Sequence, residues 1–379
     1  MMKILHTIAS LGAHSGGTST CTYELLRALH ARGVHADCLA LRPRAPGEAM
    51  LGEGEPWLRA LPDDGVTPLR YSRNMSRFLR EADYDLYHTN GLWMHCNHET
   101  CAAARRQARP YVVTPHGMLY PQAMARSAWK KRLMLALGHR RDLEAAACLH
   151  VTCEEEMRHC RELGLKRPIA VVPNPVSIPD YLDDVQRKPH DGFRVGVLGR
   201  LHPIKNIESV IRAWAGLRLP DAELVFMGRG TPAYEAALHA LVEETHAPQV
   251  RFAGFLSGRE KYEALASLDL LCAPSYQENF GMSIAEALLA GTPVIASTGT
   301  PWEALRHHRC GWWCQGDVDT LASVMAAAAA LSADERREMG VRGRRLVLSS
   351  YSSAVVAEMM VRLYRYILNG GGKPEFVYE

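Results

Sequence analysis

Two glutamates eight residues apart, Glu278 and Glu286, stand in the run Pro274-Ser-Tyr-Gln-Glu278-Asn-Phe-Gly281-Met-Ser-Ile-Ala-Glu286-Ala-Leu-Leu-Ala-Gly291. Glu278 falls in a loop. Glu286 falls inside a helix-period stretch whose other members, Ile284, Ala285, Ala287, Leu288 and Leu289, are apolar. A ligand at the entrance of that helix would meet the loop carboxylate and the free amides near Gly281 to Ser283, with Glu286 further along. Amides and a helix dipole suit a phosphate, whereas carboxylates suit vicinal hydroxyls. A solvated Glu286 is the bland alternative, but a carboxylate among apolar neighbours needs partners. Earlier in the chain, Gly199-Arg200-Leu-His-Pro-Ile-Lys205-Asn206 sets a guanidinium and an ammonium five residues apart in front of another helix. Such a pair suits two neighbouring phosphates; pairing with surface acids such as Glu208 is the plainer reading. Cations for phosphate and carboxylates for hydroxyls describe a site for a nucleotide sugar, a diphosphate with a ribose and a hexose to be gripped.

Other constellations carry less. Gly16-Gly17-Thr18 precedes a helix, where bare backbone could approach a phosphate, but a plain turn fits the same residues. The spacing from Gly12 matches neither the dinucleotide fingerprint nor the Walker A pattern. The segment His88-Thr-Asn90-Gly-Leu-Trp93-Met94 offers Asn90 and Trp93 to line an acceptor sugar, and a core position suits Trp93 equally. His88, His95, Cys96, His98 and Cys101 cluster, yet structural zinc usually shows two paired ligand sets and only one is here, so no metal is expected. Asp83-Tyr-Asp85 and Asp317-Val-Asp319 formally match an Asp-x-Asp metal signature; the first precedes a strand and the second opens a helix.

The elements that must position these residues alternate. Lys3 to Ile8 reads as a strand, a helix follows in which Leu25, Leu26 and Leu29 share a face, and Val34 to Leu41 reads as the next strand. Strands at 86–88 and 111–114 flank a helix at 100–108. A second series follows the Pro-rich stretch Val171-Val-Pro-Asn-Pro-Val and a polar linker, 180–192: strands at 193–198, 223–227, 250–253, 270–273 and 294–296, helices at 207–217, 234–245, 261–267 and 283–289. Alternation of this kind implies two doubly wound parallel sheets, and in such sheets ligands bind beyond the carboxyl ends of strands, where the chemistry-bearing residues fall.

At 379 residues, about two domains are expected. With 47% hydrophobic and 22% charged residues, a disordered or fibrous chain is excluded. The net charge of +3 hides an asymmetry: residues 1 to 180 hold 23 Lys/Arg against 18 Asp/Glu, leaving 21 against 23 for the remainder. Nine basic residues and no acidic ones lie between Thr100 and Arg141: Arg105, Arg106, Arg109, Arg126, Lys130, Lys131, Arg132, Arg140 and Arg141. The segment Trp129 to Leu137, with a basic end and an apolar body, suits an anionic membrane surface, and a core-facing helix with solvated charges suits it as well. Nucleic acid is not expected as a partner, because no recognised motif accompanies the charge. The longest uncharged run, Ile4 to Tyr23, is too polar to span a bilayer, and no leader peptide is expected after Lys3. Ten cysteines without a Cys-x-x-Cys spacing point to reduced thiols in a cytoplasm.

The two strong motifs, Gly-Arg-Leu-His-Pro-Ile-Lys-Asn at 199–206 and the run from Glu278 to Ala296, resemble the retaining glycosyltransferases of family four, most closely over 193–303. The resemblance implies the GT-B fold: two Rossmann-like domains facing a central cleft, an acceptor-side domain at 1–175, a nucleotide-sugar domain at 190–352, and a carboxyl-terminal helix, about 353–379, packed back on the first domain. It implies that Glu286 holds the donor ribose, Arg200 and Lys205 the diphosphate, and Glu278, Asn279, Phe280, Gly281, Met282 and Ser283 the sugar and distal phosphate. Gly16 and Gly17 match the family's glycine loop, and His116, in Val113-Thr-Pro-His-Gly-Met118, matches a histidine that reaches a donor hydroxyl near the reacting carbon. Asn279-Phe280 departs from the usual Gly-Phe. The implied reaction is retaining, metal-independent hexosyl transfer, with no cofactor, from a UDP-sugar first and GDP-mannose second, to a glycan or lipid-linked glycan of the cell surface, of exopolysaccharide or lipopolysaccharide type. It places the enzyme in the cytoplasm, peripheral at the inner face of the membrane. The rivals are a nucleotide-sugar epimerase or hydrolase on the same fold and a catalytically silent sugar-nucleotide-binding protein.

Overall fold

In the computed structural model, which describes residues 2–12, 16–44, 47–65 and 68–379, the first half of the chain supplies strands β1 (Lys3–Ile8), β2 (His35–Leu41), β3 (Leu58–Leu61), β4 (Leu86–Asn90), β5 (Tyr111–Thr114), β6 (Cys148–Val151) and β7 (Ile169–Val171). The second half supplies β8 (Arg194–Leu198), β9 (Glu223–Met227), β10 (Val250–Gly254), β11 (Leu270–Ala273), β12 (Val294–Ser297) and β13 (Gly311–Cys314), and the chain ends in β14 (Val377–Tyr378). The chain divides into two compact units, Met1–Pro175 with Ser353–Glu379, and Val176–Ser352.

The first sheet runs in the order β14-β7-β6-β5-β4-β1-β2-β3, parallel except for β14, which pairs antiparallel with β7. Both faces are covered: Ile4, Leu86 and Val112 pack with Leu26, Met360 and Tyr364 on one side, while Leu5, Tyr87 and Val113 pack with Leu79 and Leu143 on the other. Burial on both faces is why strands such as β5 and β7 read as nearly unbroken apolar runs. The carboxyl-terminal helix Ser353–Asn369 buries Val356, Met360 and Tyr364, one face at a spacing of four, in the first unit's core. The second sheet is wholly parallel, in the order β10-β9-β8-β11-β12-β13. The segment expected as a linker belongs to the second unit: Val176 and Leu182 lie in its core, and Arg187 Nη2 donates to buried Asp269 at 2.6 Å. Its polar composition hid these apolar anchors, and the second unit begins at Val176 rather than at 190.

The first unit also buries His6, His88 and His150. Desolvation pushes His6 down to about 3, His150 to about 4, and His88 well below the ordinary histidine value. Below about pH 6.5 the unfolded chain takes up these protons and the folded chain does not, so stability falls as pH falls. Each histidine contributes a slope of about 1.4 kcal/mol per pH unit. Buried Glu156, raised by desolvation, acts in the opposite sense and only near the carboxylate range. Thermal unfolding should therefore show a midpoint dropping between about pH 6.5 and 5, before most carboxylates titrate; a flat profile there contradicts neutral burial of the three rings.

Candidate functional site

Strand order reverses direction between β8 and β11 in the second sheet, and a reversal leaves a crevice beyond the carboxyl ends of the two strands. Gly199-Arg200 leaves β8 at that point, and Pro274 to Gly281 leaves β11. The crevice is lined by Gly199, Arg200, Lys205, Pro274, Ser275 and Ser283 and encloses about 10 Å3, roughly room for one water. Close backbone approach shapes it: Gly199 has φ 134°, and a Cβ on Gly228 would lie 1.8 Å from the Gly199 carbonyl oxygen. Lys205 closes a one-turn 3-10 helix, Pro203–Lys205, capped by the His202 ring. Asn206 follows in the left-handed region with φ 54° and donates its amide to Gly316 O (2.7 Å) and Pro274 O (3.2 Å), tying three loops together. Tyr276 N donates to Ile204 O at 2.9 Å, so the loops from β8 and β11 share a hydrogen bond.

Lys205 Nζ meets Glu278 Oε1, which also accepts from Ser275 Oγ at 2.9 Å. The two residues that sequence reasoning assigned to phosphate and sugar are thus an ion pair, both half-buried, while Arg200 is exposed. Gly281 (φ 86°) caps the helix Met282–Leu289, leaving the Met282 and Ser283 amides in its first turn. Asn279, Met282 and Ser283 are half-buried. Phe280 is buried against Trp302, 5.4 Å between ring centroids, and its carbonyl accepts from the Trp302 indole, so its side chain is packing rather than ligand surface. Glu286 does find the partner that its apolar surroundings demand: Lys261 Nζ, 2.7 Å away on the helix Gly258–Ala266. Lys261 carried no signal in the sequence, because the pairing joins two helices twenty-five residues apart.

In the first sheet the reversal falls between β1 and β4. The glycine loop leaves β1 there; Gly16 (φ 94°) and Gly17 begin the helix Gly17–Ala31 with open space where a Cβ would stand, while residues 13–15 lie outside the described residues. Asn90 ends β4, buried, and its Oδ1 accepts from His116 Nε2 at 3.4 Å. His116 follows β5 with φ 52°, an unfavourable conformation for a side-chain-bearing residue that its surroundings must hold. Glu156, 1% exposed, does so from the helix Glu154–Glu162: it accepts from Gly117 N through one oxygen and from Thr152 N (2.9 Å) and Oγ1 (3.1 Å) through the other. Burial, with the nearby His150, pushes His116 down to about 3, which keeps its ring neutral. Trp93, offered as an acceptor platform, is instead 9% exposed inside the core, with φ 73° and the Lys131 ammonium 5.8 Å from its ring centre.

The zinc-type cluster is dispersed into other bonds. His88 joins Tyr364 and Thr114, His98 joins Asp142 at 2.7 Å, and Cys96 and Cys101 are buried. Among the described residues, no three His, Cys, Asp or Glu side chains form a group that could hold a metal. Asp85 accepts from Lys3 N and Asp317 caps the helix Val318–Ala330. A cavity of about 1060 Å3 in the first unit is lined by Met2, Val34, Asp85 and Pro110, which precede strands; it lies at the end of the sheet opposite to where ligands bind.

Of the nine basic residues of the acid-free stretch, four are neutralised by acids outside it: Arg105 by Asp142, Arg106 by Glu99, Arg109 by Asp83 and Arg140 by Glu144. The helix Ala128–Met134 runs into a wider turn, Leu135–His139, opened by Gly138 at φ 147°. Trp129, Leu133 and Leu137, four residues apart, are 68%, 50% and 73% exposed. No helix among the described residues is long and apolar enough to cross a membrane.

Two family models match, a glycosyl transferase 4-like domain over residues 16–175 and glycosyl transferases group 1 over residues 181–346. A phosphatidyl-myo-inositol mannosyltransferase of Mycobacterium leprae is 26% identical over 94% of this chain and 95% of its own. A GDP-mannose-dependent alpha-mannosyltransferase of Mycolicibacterium smegmatis is 31% identical over 46% of this chain and 43% of its own. The crystal structure of HepE of Anabaena in complex with UDP-glucose superposes with a TM-score of 0.74 over 96% of this chain and 99% of that one, at 20% identity. Two doubly wound units with the strand orders described, matched over residues 16–175 and 181–346 by these two models, place the chain among the family four glycosyltransferases of GT-B fold.

Proposed function

We propose that this glycosyltransferase moves a hexose, with retention, from a nucleotide diphosphate sugar to a hydroxyl of a glycan or lipid-linked glycan, and that it does so without a metal. The observation that carries the reading is the convergence of Arg200, Lys205, Glu278 and the Met282 and Ser283 amides at the β8/β11 reversal, with Glu286 one helix turn beyond. As the bond between the sugar's anomeric carbon and the diphosphate breaks, negative charge grows on the leaving oxygen; the two cations and the helix amides are aimed at that charge. A diphosphate here takes Lys205 from Glu278, and the freed carboxylate turns to sugar hydroxyls. The acceptor oxygen bonds to the same carbon on the face the diphosphate leaves, its proton passing to the departing phosphate oxygen. His116 of the first unit takes a sugar hydroxyl. GDP-mannose, in the name of one similar protein, and UDP-glucose, bound in another, are the first two to try.

Calorimetry against UDP-glucose and GDP-mannose, followed by NMR of the product formed with a lipid-extract acceptor, tests this. One donor should bind, the new linkage should keep the donor's anomeric configuration, and turnover should persist in excess chelator. Release of free sugar with no acceptor product would favour a hydrolase, and activity abolished by chelator and restored by one metal would overturn the metal-free route.

We also infer that the first unit meets an anionic membrane through Trp129, Leu133 and Leu137 with Lys130, Arg132 and Arg126 beside them. Exposed apolar side chains on one helical face, rimmed by cations that lack a carboxylate partner among the described residues, suit a lipid interface. Co-sedimentation with vesicles rich in phosphatidylglycerol should be lost in Trp129→Ser/Leu137→Ser, with the melting temperature unchanged. Binding retained by that variant would remove this surface from the interface.

A further inference from the structure

Seven side chains of the first unit form one continuous hydrogen-bonded chain, drawn from four adjacent strands, the His116 loop and the carboxyl-terminal helix. His150 Nε2 lies 2.9 Å from Val172 O, and its Nδ1 lies 2.8 Å from Thr114 Oγ1. Thr114 Oγ1 meets His88 Nε2 at 2.6 Å, and His88 Nδ1 meets Tyr364 OH at 2.7 Å. Tyr364 OH meets His6 Nε2 at 3.0 Å, His6 Nδ1 meets Asn90 Nδ2 at 3.4 Å, and Asn90 Oδ1 meets His116 Nε2 at 3.4 Å. His6, His88, Thr114, Tyr364, Asn90 and His150 are each at most 5% exposed.

The proton positions follow from the chemistry of the two ends. Val172 O can only accept, so His150 carries its proton on Nε2 and accepts at Nδ1 from the Thr114 hydroxyl. Having donated its one proton, Thr114 accepts from His88 Nε2–H. His88 Nδ1 then accepts from Tyr364 O–H, and Tyr364 accepts from His6 Nε2–H. His6 Nδ1 accepts from the Asn90 amide, which leaves Asn90 Oδ1 to accept from His116 Nε2–H. The other end fixes the same polarity independently. Thr7 O, 3.4 Å from Asn90 Nδ2, can only accept, so the amide nitrogen points towards His6 and the oxygen towards His116. Two main-chain carbonyls at opposite ends thus agree, and no pair in the chain is left with two donors or two acceptors.

We propose that this chain locks His116 as the neutral Nε2–H tautomer, so that Nδ1 is the nitrogen it presents to substrate, as an acceptor for a sugar hydroxyl. Tyr364, His88 and His6 are then positioning residues that act on His116 through Asn90, and the carboxyl-terminal helix takes part in the site of the first unit through one phenol. The inference rests on the reading of His116 as a substrate-contacting group.

Long-range 15N–1H NMR of the full chain labelled on histidine reads tautomers directly, each signal being assigned by its loss in a single-histidine variant. His6, His88, His116 and His150 should all appear as neutral Nε2–H rings near neutral pH; His116 as Nδ1–H or as a cation overturns the proposal. In Tyr364→Phe, which keeps the ring volume, the His6 and His88 signals should show tautomer exchange, and kcat should fall roughly two- to tenfold, the range for one lost hydrogen bond, with donor KM little changed. In the His116→Ala background the same substitution should cost nothing further; an equal loss in both backgrounds overturns the positioning role. Unchanged turnover in His116→Ala itself would fail the substrate-contact reading and the positioning role with it, and would be recognised as such because the tautomers are read from the unmodified protein.

Discussion

Lys205→Met is expected to lower kcat by roughly 100- to 1000-fold at saturating donor, the range for removing one preorganised group that stabilises a developing anion. Two effects act in the same direction. The ammonium that would meet the leaving diphosphate is gone, and Glu278, its half-buried partner in the ion pair, is left with Ser275 Oγ and an uncompensated charge. A diphosphate entering there meets a carboxylate where it should meet a cation. The double variant Lys205→Met/Glu278→Gln removes that repulsion and should recover part of donor affinity but little of kcat, because the transition-state charge still lacks its partner. Arg200→Ala should cost less, since Arg200 is exposed and water can replace part of its interaction. Steady-state kinetics with circular dichroism as a control for folding measure this; a Lys205→Met enzyme within about threefold of the parent would place Lys205 outside the reaction.

Much of the scaffold was legible because its cause is local. Strands β1, β5, β9 and β11 each carry a short apolar run, Ile4-Leu5, Tyr111 to Val113, Leu224 to Met227 and Leu270 to Ala273, and the helix at Gly281 begins where a glycine at φ 86° ends the loop. Elements with weaker local patterns escaped: β3, whose Leu58–Leu61 is only partly buried, and the helix Arg73–Glu81, mostly charged on its outer face. The pairings that build the site were illegible for a different reason, since their partners meet only after folding. Glu156 reads as one of three consecutive solvated acids, yet it is buried and braces the His116 loop. Tyr364 reads as one apolar position of a terminal helix, and its hydroxyl meets His88 across 276 residues. Lys261 and Glu286 are the same case. Trp93 has two readings in the sequence, a sugar platform beside a strand end and a core position, and its burial in the cluster that holds Leu92, Cys96 and Leu143 shows the second.

Glu286→Gln should weaken binding of the donor nucleotide by about 1.5 to 3 kcal/mol, the range for charged hydrogen bonds to hydroxyls. The Lys261 contact complicates a simple substitution. Removing the carboxylate charge also strips Lys261 of its partner, and an unpaired ammonium near a polyphosphate works in favour of binding, masking part of the loss. Lys261→Met separates the two. If Glu286 serves only to hold Lys261, Glu286→Gln should lose no donor affinity, because the ammonium it frees favours the polyphosphate. If its second oxygen takes the ribose, Glu286→Gln should lose affinity and Lys261→Met should not, because the freed carboxylate still accepts from both hydroxyls. The ligand offers an independent arm: 2′-deoxy and 3′-deoxy nucleoside diphosphates should bind the parent more weakly than the ribonucleotide and bind Glu286→Gln nearly as well as the ribonucleotide does. Calorimetry across that cycle isolates the coupling between carboxylate and ribose, and a coupling near zero would assign Glu286 to holding two helices together rather than to the donor.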